Sequence, residues 1–529
     1  MTPAPTSSPP TAVGTPTPQQ RDAATTIYER SVSGRRAATL PPAGVPEPPL
    51  SELIPQNLLR ERGPALPEVS EPEIVRHYNR ISRRNFDLDT GPYPLGSCTM
   101  KHNPRLNEKV AALPGHARLH PAQDPKRAQG ALELMWRLER ALSEICGLPH
   151  VSLQPSAGSH GELAGLLLTQ AYHADRGEQR TKVLTPDTAH GTNPATVTMA
   201  GFEVVKVVTD EHGGVDVDDL RAKADDEVAC LMLTNPNTLG LFDQNITEIA
   251  SIVHGVGGTL YYDGANLNAI MGYSRPGDMG FDIVHVNLHK SFSQPHGGGG
   301  PGAGPIAVSE RIAPFLPAPR IVRRNEPAQQ RRDFAFGSEG SNGSGPSFDL
   351  DHELAKSIGR MRGFQGNFGV FVRSYAYIAS LGGDGLKEAS ETAVLNANYL
   401  LARLSQGRAG KHLPIAFDRR PMHEFVLSGA PAKRELGVRT LDIAKRLLDY
   451  GFHPPTIYFP LLVEEALMVE PTETETRESL DLLAGAIDEI LAEAERDPEI
   501  LRGAPYTTPV RRLDEAAASR KPVLRQPLG

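Results

Sequence analysis

The feature that most constrains the fold is a series of short apolar runs between residues 151 and 309. The runs occupy 151–154, 182–185, 203–208, 229–233, 259–263, 282–287 and 304–309, with helix-like stretches at 161–174, 193–200, 216–224 and 246–255. Short apolar runs that alternate with helices are typical of parallel strands buried on both faces. The series therefore predicts a doubly wound α/β domain.

The length of 529 residues exceeds one ordinary domain, so we expect two or three packed units. The N-terminus is rich in proline, threonine and serine, which predicts a disordered tail. The expected divisions are the tail at 1–45, an extended arm at 46–125, a large domain at 126–365, a smaller α/β domain at 366–500 and a C-terminal extension at 501–529. In the smaller domain, two helices broken at Gly382 and Gly383 are expected to precede alternating strands and helices.

Charge and cysteine usage limit the classes of protein. The net charge is −8, and the basic residues form no continuous stripe along the sequence. Both observations argue against nucleic acid or an anionic membrane as the main partner. The sequence contains no apolar stretch of the roughly 18 residues that span a bilayer, and no secretory signal is expected. Cys98, Cys146 and Cys230 lie far apart, as reduced thiols do. We therefore expect a cytoplasmic enzyme.

Polar clusters follow five of the predicted strands. They read QPSAGSHGE after 151–154, PDTAHGTNP after 182–185, TNPNTLG after 229–233, DGANLN at the end of 259–263 and LHKSF after 282–287. In open α/β sheets, ligands bind at the carboxyl ends of the strands. The five clusters therefore predict one crevice with a bound ligand.

Two residues at these strand ends indicate the chemistry. Lys290 lies between a buried strand and a glycine-rich run, and a desolvated amine can act as a nucleophile that forms an imine. Asp263 ends an apolar run, so its carboxylate needs a partner. Asp263 is either a helix N-cap or the partner of a pyridinium nitrogen, which keeps the ring of pyridoxal phosphate (PLP) an electron sink. We therefore predict that Lys290 forms a Schiff base with PLP.

The segment SAGSHGE is expected to open a helix. Ala157, Gly158 and Ser159 are small, so free N–H groups at this end could bind a phosphate, although such residues also serve as simple caps. His160 could stack on a flat ring or be a hydrogen-bonded structural histidine.

Two other motifs are interpreted without a ligand. The run HGGGGPG at 296–302 formally satisfies G-x-G-x-x-G, but no long helix follows, so we reject a dinucleotide site. His285 and His289 stand four residues apart on a predicted strand with no carboxylate motif, so no metal site is expected.

Longer segments resemble a known family. DGANLNA followed by NLHKSFSQPHGGGGPGAGP is similar to the PLP-binding half of the glycine cleavage system P-protein, glycine dehydrogenase (decarboxylating). YPLGSCTMKHNP, QPSAGSHGELAGL, PDTAHGTNPAT, LMLTNPNTLGLFD and APYTTPVRRLDE resemble the same family in the same order. The likeness extends from about residue 50 to the C-terminus, and it is to the lysine-bearing subunit of the two-subunit bacterial form.

The resemblance implies a fold-type I PLP enzyme with a mostly parallel seven-stranded sheet, a smaller C-terminal domain and an N-terminal arm. It implies that Lys290 forms the Schiff base and that Asp263 meets the pyridine nitrogen. The other implied cofactor contacts are His160 on the ring, Ala157, Gly158 and Ser159 at the phosphate, Asn237 or Thr238 at the ring hydroxyl, and His289 and Ser291 beside the site.

The resemblance also implies a reaction and partners. Glycine loses CO2, and the aminomethyl group passes to the lipoyl arm of the H-protein. Subunit 1 completes an α2β2 tetramer. Two alternatives remain: another fold-type I enzyme, such as an amino-acid decarboxylase or aminotransferase, and a non-catalytic partner subunit. The presence of both Lys290 and Asp263 argues against the second alternative.

Overall fold

The computed structural model describes residues 25–296, 302–324 and 347–525. The chain divides into two compact units, one formed by Met1–Asp87 with Tyr506–Gly529 and the other by Leu88–Pro505. Residues 1–24 of the expected tail and 297–301 of the glycine-rich run lie outside the described residues. The boundaries expected from the sequence stay predictions.

Strands of the described residues form three sheets. The strands are β1 His150–Ser152, β2 Lys182–Pro186, β3 Glu203–Val207, β4 Val228–Leu233, β5 Thr259–Gly264, β6 Ile283–Val286, β7 Ile306–Val308, β8 Arg320–Arg324, β9 Ser347–Asp351, β10 Phe425–Ser428, β11 Thr456–Ile457 and β12 Ala466–Val469. The large sheet has the order β1-β7-β6-β5-β4-β2-β3. A three-stranded sheet has the order β10-β12-β11, and β8 pairs with β9.

Helices lie between and after these strands. The α-helices are Leu50–Leu53, Glu71–Ser82, Arg105–Ala111, Pro114–Ala117, Gln129–Cys146, Gly158–Asp175, Thr192–Met199, Val217–Lys223, Ile246–Gly255, Leu288–Ser291, Phe368–Ser405, Ala409–His412, Ala430–Leu436, Thr440–Asp449, Arg477–Arg496, Glu499–Gly503 and Glu515–Arg520. Short 3-10 turns cover Tyr28–Arg30, Gln56–Leu58, Pro125–Arg127, Leu267–Ala269, Pro276–Met279 and Ala313–Phe315. Among the described residues, no helix is long and apolar enough to cross a membrane.

The large sheet confirms the α/β fold expected from the apolar runs. Strands β2 to β6 run parallel to one another, whereas β7 runs antiparallel to both β6 and β1. Every residue of β4 and β5 is buried, as expected of strands covered by helices on both faces. Because β4, β5 and β6 are parallel, the segments after them lie at one edge of the sheet.

Two predicted helices show why their sequences fold as they do. The helix Gln129–Cys146 buries Leu138 and Leu142 on one face and ends at Gly147, whose φ of 70° is left-handed. Glycine adopts this conformation without steric strain, and it commonly ends helices. The helix Phe368–Ser405 is interrupted at Gly382, which has a φ of 64°, so the predicted break is confirmed.

The β8–β9 pair was not predicted. Its segments RIVRR and SFDLD carry charged residues at five of their ten positions, and each is only partly buried. Such segments lack the apolar run by which the strands of the large sheet were recognised.

Candidate active site

Lys290 lies beyond the end of β6, in the short helix Leu288–Ser291. Its side chain is half-buried, and Nζ donates a hydrogen bond to the backbone oxygen of Ser97 at 2.8 Å. The amine is therefore held by a neutral carbonyl group at the carboxyl edge of the sheet. An amine in this position has the geometry expected for covalent bonding to a ligand in the crevice.

Asp263 lies on the neighbouring strand β5 and is 3% exposed. Its Oδ2 accepts from Nδ2 of Asn193 at 3.0 Å, and its Oδ1 accepts from the N–H of Ala265 at 3.0 Å. Burial alone would raise the pKa of Asp263, but His285, the Asn193 hydrogen bond and the charge of Lys290 together lower it. Asp263 is therefore a buried carboxylate that stays ionised.

A second buried carboxyl group lies close to Asp263. Glu162 accepts hydrogen bonds from Oγ1 of Thr192 at 2.8 Å and of Thr196 at 3.2 Å. Burial, followed by the negative charge of Asp263, raises the pKa of Glu162 to about 7. Of two neighbouring carboxyl groups in unequal surroundings, one takes the charge and the other keeps its proton. Here Asp263 takes the charge.

The helix Gly158–Asp175 points its N-terminus at this edge. Its first flanking residue, Ala157, provides no side-chain cap. A Cβ atom on Gly158 would lie 2.2 Å from Oδ1 of Asn287, so glycine is required for the helix to approach the segment after β6. Ser159 is exposed on the first turn. Uncapped amides and the helix dipole together favour an anion at this position.

His160 lies on the same first turn. Its Nδ1 accepts a hydrogen bond from the N–H of Ser156 at 3.2 Å and lies 3.0 Å from the Ser156 hydroxyl. Burial, followed by the charge of Arg362, lowers the pKa of His160. The ring is therefore neutral and fixed in orientation. Its stacking on a cofactor ring stays a prediction.

Asn237 and Thr238 lie in the loop after β4 and are buried. The Asn237 side chain donates to the carbonyl oxygen of Gly213 at 2.7 Å and accepts from the N–H of Leu239 at 3.0 Å. Thr238 donates to the carbonyl oxygen of Thr188 at 2.5 Å. These contacts give both side chains a structural role in the loop, and their contact with a ring hydroxyl stays a prediction.

Two buried polar atoms flank Lys290 without a partner in the described part of the chain. They are Oγ of Ser291 and Nδ1 of His289. Burial, followed by the charges of His296 and Lys290, lowers the pKa of His289 to about 3. An unsatisfied buried hydroxyl is costly, so such atoms mark places where a ligand can bind. The site therefore offers the Lys290 amine, the Asp263 carboxylate, the uncapped end of the helix Gly158–Asp175 and these two unpartnered atoms. This set fits PLP, which carries an aldehyde, a pyridine nitrogen and a phosphate.

Several residues at this site were not predicted. His190 and Asn193 stand in the PDTAHGTNP cluster that the sequence placed here, but no role was assigned to them. Glu424 and Glu470 come from the smaller sheet and are fully buried. Glu424 directly precedes β10 and Glu470 directly follows β12. A carboxylate next to an apolar run needs a partner, and this argument, applied above to Asp263 alone, would have found both glutamates.

Lys101 belongs to the loop that also contains Ser97. It is 1% exposed, and its Nζ lies 2.6 Å from Oε1 of Glu473. The amine also donates to the carbonyl oxygen of Ser291 at 2.8 Å and to Oδ1 of Asn268 at 2.9 Å. Burial lowers the pKa of Lys101, but the charges and hydrogen bonds of Glu473 and Tyr377 together outweigh this effect, and the net shift is upward. A charged lysine therefore joins the loop to the helix of Lys290.

We expect Lys101→Met to lower the free energy of unfolding by about 3 kcal/mol, because the Glu473 carboxylate, whose side chain is 9% exposed, would lose its ion-pair partner. The measurement is the urea midpoint of the purified chain. The control is Lys411→Met, since Lys411 is exposed and lies 3.8 Å from Glu435; its loss should cost about 0–1 kcal/mol. Equal shifts for the two variants would contradict this role of Lys101.

The fold and the site together define a class. A mostly parallel seven-stranded sheet with a lysine after β6 and an ionised carboxylate at the end of β5 is that of a fold-type I PLP-dependent enzyme. Residues 48–337 match the family described as glycine cleavage system P-protein, and residues 389–503 match that described as glycine dehydrogenase, C-terminal domain. The chain belongs to the glycine cleavage system P-protein family.

Curated relatives cover nearly the whole chain. A probable glycine dehydrogenase (decarboxylating) subunit 2 from Caldanaerobacter subterraneus subsp. tengcongensis is 54% identical over 500 residues, which is 94% of this chain and 98% of the relative. Proteins with the same description are 53% identical over 500 residues in Bacillus licheniformis, with the same shares, and 52% identical over 495 residues in Chlorobaculum tepidum, covering 94% and 98%.

Solved structures share the fold. A crystal structure of glycine decarboxylase (P-protein) of the glycine cleavage system, in inhibitor-bound form, superposes with a TM-score of 0.67 at 21% identity, covering 83% of this chain and 94% of that chain. A cysteine desulfurase from Escherichia coli gives a TM-score of 0.56 at 15% identity and covers 76% and 95%. These neighbours confirm the expected fold class.

Proposed function

We propose that this chain is a glycine dehydrogenase (aminomethyl-transferring, decarboxylating) that uses PLP. It decarboxylates glycine and transfers the aminomethyl group to the lipoyl arm of the H-protein. The proposal is carried by the Lys290 amine and the ionised Asp263 at adjacent strand ends, in a chain 54% identical to a glycine dehydrogenase (decarboxylating) subunit 2. When bound, PLP supplies an electron sink for the bond that breaks at the glycine carboxylate.

In this reaction, the side chains and backbone of the chain bind and orient the cofactor. Lys290 would hold the cofactor covalently, and Asp263 would pair with the pyridine nitrogen. Ala157, Gly158 and Ser159 would bind the phosphate through the uncapped helix end, with Ser291 donating its unpartnered hydroxyl. When the Lys290 amine is free, the carbonyl oxygen of Ser97 holds it in the crevice. His160, Asn237 or Thr238, and His289 complete the proposed set.

The overall reaction balances with the lipoyl disulfide as oxidant. The bond between the glycine α-carbon and its carboxylate breaks and CO2 leaves. The electron pair forms a carbon–sulfur bond as the disulfide opens, and the second sulfur takes a proton to become a thiol. The aminomethyl group therefore leaves on the carrier.

The proposed partners are subunit 1, in an α2β2 tetramer, and the lipoylated H-protein. The description of the relatives as subunit 2 supports a partner subunit. We also place the chain in the cytoplasm, since its three cysteines are free thiols, as a reducing compartment favours.

The test is glycine-dependent exchange of labelled bicarbonate into the glycine carboxyl group, with the chain, subunit 1 and lipoylated H-protein together. We expect exchange that needs all three proteins. Transamination of an amino acid without exchange would instead indicate another fold-type I enzyme. A chain that binds no PLP, seen as the lack of a visible absorbance band, would indicate a non-catalytic partner subunit.

A further inference from the structure

The loop that holds the Lys290 amine is itself held by two buried carboxyl groups. We call Pro94–Lys101 the 94–101 segment. The N–H of Ser97 donates to Oε2 of Glu424 at 2.6 Å, and the Ser97 hydroxyl lies 3.0 Å from Oε1. Nδ2 of Asn266 donates to the same Oε1 at 3.0 Å. Ser97 is therefore fixed by its backbone and its side chain at once.

Thr99 is fixed in the same way by the other carboxyl group. Its N–H donates to Oε2 of Glu470 at 2.9 Å, and its hydroxyl donates to Oε1 at 2.6 Å. Ser97 and Thr99 have φ angles of 57° and 46°, a left-handed region that residues with a side chain seldom adopt. Such a conformation persists only where its surroundings enforce it, and the paired hydrogen bonds to Glu424 and Glu470 do so here.

The remaining contacts of the 94–101 segment fix it against the smaller sheet. Leu95 forms a β-bridge with Val469, the last residue of β12. A Cβ atom on Gly96 would lie 2.2 Å from Cγ of Met468, so the segment lies directly against this strand. Oγ1 of Thr456 donates to the Gly96 carbonyl at 3.0 Å. The carbonyl of Ser97, next along the chain, then points at Lys290.

The charges around the two glutamates do not balance if both are ionised. Both are fully buried, and they lie with His423 in a group whose ligand-type atoms are within 4.8 Å of one another. The facing groups are Lys290, the Glu473 carboxylate paired with Lys101, the neutral rings of His423 and His296, and the thiol of Cys98. Among these facing groups, Lys290 is the cation with no carboxylate within ion-pair distance in the described part of the chain.

Two like charges in a buried space cannot both persist without matching cations. Burial, followed by the charge of Glu470, raises the pKa of Glu424 to about 8, and burial also raises the pKa of Glu470. The Ser97 hydroxyl can accept a hydrogen bond from a protonated Glu424 as readily as it can donate to an ionised one.

We propose that Glu424 and Glu470 are positioning residues that share one proton and hold the 94–101 segment, so that the carbonyl oxygen of Ser97 binds the Lys290 amine. The proposal rests on the proposed role of Lys290 as the cofactor lysine. Loss of the shared proton leaves two adjacent negative charges, which loosens the segment. The pair therefore sets a pH above which the amine is released.

The reactivity of the Cys98 thiol measures how open the 94–101 segment is, because Cys98 lies between Ser97 and Thr99. The other two cysteines, Cys146 and Cys230, are buried and should react little. The test measures alkylation of Cys98 by iodoacetamide between pH 6.5 and 9.5 in the full chain after its PLP has been removed, so that the Lys290 amine is free. Neither glycine nor carrier is present, and each rate is divided by the thiolate fraction from ultraviolet absorbance. We expect the corrected rate to rise about tenfold above pH 8, as the segment opens. Acetylation of Lys290, read by peptide mass, should rise with it.

Glu424→Gln keeps the acceptor oxygen but has no proton to lose. We expect its corrected alkylation rate to match the original chain at pH 7 and to stay flat above pH 8. Glu470→Gln gives the same test should Glu424→Gln fail to fold. The matched control is Glu465→Gln, since Glu465 holds the N–H and hydroxyl of Thr440 at 3.1 and 3.0 Å outside this site; its profile should follow the original chain.

Three outcomes would overturn the proposal. They are a flat corrected rate in the original chain, the same rise in Glu424→Gln as in the original chain, and alkylation of Cys98 that rises without acetylation of Lys290. One equivalent of tightly bound metal, found by elemental analysis and lost in His423→Ala, would show a cation in place of the proton and would also overturn it. None of these readouts depends on glycine, so they are separate from failure of the proposed reaction.

Discussion

Lys290→Ala should reduce glycine-dependent bicarbonate exchange by at least about 10³-fold, because the variant lacks the amine that bonds to the cofactor. The Lys290 amine lies at the end of β6 within hydrogen-bond distance of a neutral carbonyl group, which leaves it available for covalent bonding. The measurement combines exchange in the reconstituted system with borohydride reduction and peptide mass analysis. In the original chain, the reduced cofactor should be found on the peptide that contains residue 290.

Two controls separate chemistry from folding. Lys356→Ala removes an exposed lysine whose amine lies 2.7 Å from Asp175, and it should leave both exchange and labelling unchanged. Added methylamine should restore part of the exchange in Lys290→Ala, since a free amine can replace a missing one where the site is intact. Labelling at another residue of the original chain would contradict the assignment of Lys290.

The large sheet could be predicted from the sequence because strands buried on both faces appear as short continuous apolar runs. Strand β4 is apolar at every position and β5 is buried at every position. The helix between them, Ile246–Gly255, instead buries Ile246, Ile249 and Val253, which are three or four positions apart. Strands β8 and β9 were not predicted because their charged residues interrupt the apolar run that marks a buried strand. The antiparallel direction of β7 was also not evident, since an apolar run carries no sign of direction.

The residues of the candidate site likewise fall into those that the sequence could predict and those that it could not. Lys290 and Asp263 could be predicted because each lies at or just beyond the end of an apolar run and because motifs around them resemble one family. Glu424 and Ser97 could not be paired, since 327 residues separate them and only the folded chain brings them together. A hydrogen bond between distant segments leaves no periodic trace in either one.

Asp263→Asn is expected to slow bicarbonate exchange by about 10²–10³-fold, the loss typical of removing one buried electrostatic contact to a reacting group. The pKa of Asp263 is held below its ordinary value, so the charge is present throughout the neutral assay range and is lost only at acidic pH. Asparagine keeps the size of the side chain and the acceptor for the N–H of Ala265. We therefore expect PLP to remain bonded to Lys290 while exchange falls.

The control is Asp282→Asn, which removes another buried carboxylate next to the same sheet. Oδ1 of Asp282 accepts from Nε of Arg311 at 2.6 Å, and Oδ2 lies 2.9 Å from Nε2 of His254. Its loss should lower the thermal midpoint but leave exchange per folded chain within about twofold, because distant sites act independently. Asp263→Glu should recover part of the exchange by restoring the charge. If Asp263→Asn and Asp282→Asn slowed exchange equally, Asp263 would be structural and would not act on the cofactor.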